Sequence, residues 1–66
     1  MENNYQIRLL TEYKQLVEKR CILERTLNGE TCTNMESKQI ELLRRQLEFM
    51  LGYEEILFER ILMNMK

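Results

Sequence analysis

Apolar residues recur along this chain at alternating steps of four and three. The first set is Leu9, Tyr13, Leu16, Leu23 and Leu27, with Arg20 as a charged interruption. The second is Ile40, Leu43, Leu47, Met50, Leu57 and Ile61, interrupted by Glu54. This is the spacing of coiled-coil seams and predicts two long amphipathic helices. Helix 1 is expected over about 5–27, a loop over 28–33 and helix 2 over about 34–65. Asn3 or Asn4 is the expected N-cap of helix 1, with Gln6 completing a weak capping box, and Thr33-Asn34-Met35-Glu36 reads as a second box. Asn28-Gly29 should end helix 1, because glycine enters the left-handed C′ conformation without a steric penalty. A loop this short makes the helices antiparallel neighbours. The fold class is therefore all-α, an antiparallel two-helix hairpin forming a single domain over 1–66.

Helix 2 carries more apolar stripes than one neighbour can cover. Leu42, Phe49, Ile56 and Met63 recur every seven residues, and so do Leu51, Phe58 and Met65. The polar strip of Glu41, Arg45, Glu48, Glu55 and Glu59 is narrower. A hairpin alone would leave these stripes in water, so assembly into a helical homo-oligomer is expected, with helix 2 central. An amphipathic membrane-surface helix competes less well, because an acidic polar strip is repelled by anionic lipid. The two seam charges, Arg20 and Glu54, either pair or set register, since each is expensive if unpaired.

With 66 residues the chain is a small domain that buries little of its surface alone. It has no proline and two glycines, Gly29 and Gly52. Ten basic and eleven acidic residues leave a net charge of −1, which argues against duplex nucleic acid as a partner. No apolar run approaches a membrane span and no segment reads as a signal peptide, so a cytoplasmic location is expected. Cys21 and Cys32 lack zinc-ligand spacing and the chain has no histidine. Free thiols and no metal are the expectation.

The chemistry of an enzyme is missing. There is no histidine for general-base work, no glycine-rich phosphate loop and no nucleophile elbow. Glu54-Glu55 is a carboxylate pair in sequence only, since adjacent helical residues point about 100° apart. Binding is better supported. Tyr5, Arg8, Lys19, Arg20 and Arg25 place an aromatic ring and cationic groups on helix 1, as a ligand with a base and a phosphate requires. Tyr5 and Arg20 differ by about 60° in direction but by roughly 22 Å along the axis. They reach one small ligand only from two chains packed antiparallel. A second class of reading is a helical adaptor or inhibitor whose extra stripes dock onto another protein.

The pattern Gln46-x-x-x-Met50-x-x-Tyr53-x-x-Ile56-Leu57-x-x-Arg60-Ile61, with Arg8, Glu12-Tyr13, Leu16, Leu23 and Leu27 before it, resembles a known family. It is similar to the phage helical-hairpin family of anti-CBASS and anti-Thoeris cyclic-nucleotide sponges, over Tyr5 to Ile61. The resemblance implies a non-enzymatic obligate oligomer, a compact hexamer, that needs no cofactor and acts in the host cytoplasm during infection. Its ligand would be a cyclic dinucleotide held between protomers, with separate sites for cyclic trinucleotides near a three-fold axis. It also implies a tyrosine near the start of the helix and a basic residue further along. Tyr5 and Arg20 take those roles here, with Lys19 as the substitute for Arg20, Arg8 as a further phosphate contact and Arg60 on a second surface.

Overall fold

The computed structural model describes residues 2–29 and 34–65, without the side chains of Glu2 and Asn3. Two helices, α1 over Glu2–Asn28 and α2 over Ser37–Asn64, pack antiparallel as a hairpin. Gln6 on α1 donates to the Asn64 carbonyl at the far end of α2, at 2.7 Å. The result is a rod of 48 × 15 × 14 Å.

The seam follows the alternating spacing. Leu9, Leu16, Leu57 and Ile61 form the core cluster, with Tyr13 and Met50 packed against it. Leu23 is buried further along α1. Leu57 has no exposed surface. Ile40, Leu43, Leu47 and Leu27 are half-buried, as expected for the less tightly covered end of a two-helix seam. Arg20 and Glu54 do pair across the helices, Nε to Oε2 at 2.7 Å and Nη2 to Oε1 at 2.9 Å. The two-pronged geometry satisfies both seam charges at once.

The helix ends depart from expectation in three places. Helix α1 begins at Glu2, so Asn3 and Asn4 lie inside its first turn and do not cap it. The Gln6–Asn64 bond ties that turn to the end of α2, a tertiary anchor invisible in local sequence. Helix α2 begins at Ser37, later than the expected 34, with extended Glu36 at the N-cap and no side-chain cap bond. Glu36 thus occupies the cap itself and cannot be the third helical residue of a Thr33 box; Thr33 lies outside the described residues. The Glu36 carbonyl accepts from the Ile40 N–H at 3.1 Å, the first bond of the helix.

At the other loop end, Gly29 closes α1 without left-handed backbone, since no described residue has positive φ. Its value is steric: a Cβ there would stand 3.1 Å from the Arg25 carbonyl oxygen.

The additional stripes of α2 stay uncovered by α1. Leu42 is 44%, Phe49 73%, Ile56 59% and Met63 74% exposed, and Leu51, Phe58 and Met65 are exposed as well. Helix α1 adds Ile7, Leu10 and Ile22 to the uncovered apolar surface. No helix among the described residues is long and apolar enough to cross a membrane.

Candidate ligand-binding site

Antiparallel packing sets the first turns of α1 beside the last turns of α2. Tyr5 on α1 therefore meets Arg60 on α2, whose Nη2 donates to the tyrosine hydroxyl at 2.8 Å. These two residues, with Arg8, Leu9 and Glu12, line one hollow of about 200 Å³. Small-molecule sites usually enclose about 300–1,000 Å³. The hollow is thus smaller than such a site, with two guanidinium groups and one aromatic ring on its wall. A turn further from that end, the Tyr53 hydroxyl donates to Glu12, a second tie between the helices on the same side. Glu12 is the acidic member of the cluster.

Arg8 and Arg60 are exposed, and Tyr5 is 40% exposed. The Arg60 bond fixes the phenol end of Tyr5. A guanidinium carries five N–H donors, and the bond to Tyr5 uses one of them. The group can therefore hold the ring and still meet a phosphate.

Arg20 sits elsewhere and is engaged differently. Its Nε and Nη2 hold Glu54, and its Nη1 donates to Glu24 at 2.8 Å. The two carboxylates hold the Arg20 proton more tightly than usual, through the bonds to Glu54 first and Glu24 second. Glu54 is pushed below its ordinary pKa of 4.5, chiefly by the hydrogen bond from Arg20. Arg20 and Glu54 line another hollow, together with Tyr13, Leu51, Glu55 and Phe58. Tyr13 and Phe58 face each other there, ring centroids 6.1 Å apart. Two carboxylates against one guanidinium make Arg20 a poor partner for a phosphate.

Lys19, next in sequence, is exposed and takes no part in the ion pairs of the described residues. It stands fourteen residues beyond Tyr5, about 40° away in direction and roughly 21 Å along α1. Of the sequence-predicted residues, Tyr5, Arg8 and Arg60 come together, while Lys19 and Arg20 lie about half the length of α1 away. Glu12 and Tyr53 belong to the same side and were missed as site residues. Both stand in the family-like pattern, but only the antiparallel register joins them.

Among the described residues, no group of histidine, cysteine or acidic side chains is arranged to hold a metal ion. Cys21 is a free, exposed thiol, and Cys32 lies outside the described residues. A family model described as Sequestin matches residues 3–63. Neither a curated protein nor a solved structure matches the chain.

Proposed function

Because the chain belongs to the Sequestin family, whose name speaks of sequestration, we propose that it is a non-catalytic sponge for cyclic di- or trinucleotide second messengers. In this reading it is a phage protein of anti-CBASS type. It lowers the free messenger in the host cytoplasm below the level that activates the effector. The observation that carries it is the meeting of Tyr5, Arg8 and Arg60 at one end of the hairpin, in a hollow too small to enclose a nucleotide alone. A second protomer of the homo-oligomer completes the pocket.

Bases stack on Tyr5, and the phosphates meet Arg8, Arg60 and, from a second chain, Lys19. Lys19 is favoured over Arg20 because Glu54 and Glu24 already occupy the Arg20 guanidinium. Binding requires no covalent step, no metal and no cofactor. The affinity comes from charge-assisted hydrogen bonds and base stacking.

Isothermal titration with a panel of cyclic di- and trinucleotides tests this. Saturable heat is expected for at least one of them, with fewer ligands than chains. Base stacking is worth ~1–3 kcal/mol, so Tyr5→Ala should weaken binding about fivefold to 150-fold. Tyr5→Phe, which keeps the ring, should bind close to normal. No heat with any member of the panel would dispose of the reading. Equal affinity of Tyr5→Ala would remove Tyr5 from the site.

A second reading rests on the exposed Leu42, Phe49, Ile56 and Met63. In it the chain is a helical adaptor or inhibitor and the stripe docks onto a different protein. Light scattering separates the two, because a sponge of shared pockets is a stable oligomer without any partner.

A further inference from the structure

Gly52 lies in the middle of α2 and has no use there within one hairpin. Its backbone is not left-handed. A Cβ added to it would meet nothing within 4 Å. Glycine in a helix interior costs ~1 kcal/mol relative to alanine. A residue that weakens the helix without serving its fold is explained by something approaching from outside.

The residues around it show what fits. At 100° per residue, Gly52 faces directly away from the seam, on the side that carries Phe49, Ile56 and Met63. That side carries highly exposed apolar residues, with Phe49 at 73% and Met63 at 74%. Arg45 and Glu59 stand on the same side, seven residues before and seven after Gly52. Both are exposed and neither joins an ion pair among the described residues. Opposite charges at equal distances from a glycine make a self-complementary pattern.

The geometry points to an α2–α2 contact between two copies of this chain, crossing antiparallel at Gly52 about a two-fold axis. This specifies the assembly assumed above and is independent of its ligand. In the isologous arrangement each residue meets the neighbourhood of its mirror position, counted from the crossing. Arg45 faces the other copy's Glu59 at the strict mirror position, while Phe49 packs on its Ile56 and Leu42 on its Met63, each one residue off it. Each contact occurs twice. The missing Cβ at Gly52 lets the backbones come closer than the usual 8–10 Å, so that Phe49 and Ile56 interdigitate. Glu48 and Glu55 take the matching places on the opposite flank, so each copy's Glu48 stands near the other's Glu55, a like-charge cost that the Arg45–Glu59 pairs and the apolar contacts must outweigh.

Light scattering on the full chain over a dilution series tests this contact, with helicity followed by circular dichroism and no nucleotide present. Gly52→Leu should keep or raise helicity and increase the dissociation midpoint at least tenfold. Arg45→Glu and Glu59→Arg should each weaken assembly severalfold. The double variant Arg45→Glu/Glu59→Arg should restore it. A Gly52→Leu chain that assembles normally would overturn the proposal. So would single charge reversals without effect, a double reversal that fails to rescue, or a wild-type chain that stays single. If Gly52→Leu loses helicity, the charge-reversal pair decides. A negative nucleotide titration would leave this result untouched, and a failed rescue would leave the nucleotide reading standing.

Discussion

The seam and the outward face of α2 contain the same kinds of residue and meet opposite fates. Leu57 in the seam is wholly covered, whereas Phe49, two turns earlier, is 73% exposed. Five apolar side chains are buried among the described residues, and far more large ones are left outside. A chain of this size is marginal even when its core is well filled. Helix α2 therefore has two apolar surfaces, one covered by α1 and one, carrying Phe49, Ile56 and Met63, that α1 leaves open. On the proposed assembly, two-helix geometry by itself is an incomplete account of stability.

The largest expected effect lies in the seam. Leu57→Ala leaves a cavity beside Leu16 and Ile61 and should cost ~2–5 kcal/mol. For so small a domain that lowers the melting temperature steeply at every protein concentration, as thermal circular dichroism would show. Phe49→Ser should act differently. It removes an exposed ring from the single hairpin, where surface changes cost little, so helicity at high concentration should change modestly. The loss should appear as a lower molecular mass by light scattering. If both variants shift the melt equally at all concentrations, the distinction between the two surfaces fails.

The Arg20–Glu54 pair gives the next effect, read through pH. Glu54 titrates below its ordinary value in the folded chain because Arg20 donates to its carboxylate. As pH falls, the unfolded chain takes up that proton first. The stabilisation is therefore full above the ordinary value of 4.5 and is lost as pH falls through the depressed value. Glu54→Gln should flatten the acid limb of a stability-against-pH curve; an unchanged limb would contradict this. Replacing both residues, as Arg20→Met/Glu54→Leu, should be less harmful than Glu54→Leu alone, which leaves the seam guanidinium with Glu24 as its one carboxylate. The smallest effect is Tyr53→Phe, which removes the hydroxyl that donates to Glu12. It should cost about 1 kcal/mol or less in a denaturant melt.

What the sequence displays is the part fixed by helical periodicity. The alternating spacing named every seam position from Leu9 to Ile61, and each is buried or half-buried. It also set Arg20 and Glu54 on facing stripes, and they pair. The helix starts were less legible. Asn3, Asn4 and Thr33-Asn34-Met35-Glu36 carry local capping signals, but α1 runs on to Glu2 and α2 starts only at Ser37, and a tertiary tie such as Gln6–Asn64 leaves no local signal. The candidate site divides in the same way. Tyr5, Arg8 and Arg60 were each conspicuous as aromatic or cationic residues, while their meeting depends on the register between helices. Arg20 shows the limit of residue type as a guide. One guanidinium suits a phosphate or a carboxylate, and here two carboxylates hold it.

The central claim is that one hairpin is an incomplete folding unit, and melting curves over a thousandfold range of protein concentration test it most directly. The account predicts a midpoint that climbs with concentration, alongside a mass that is a whole multiple of 8.1 kDa. A midpoint independent of concentration, with a mass of one chain throughout, would contradict it.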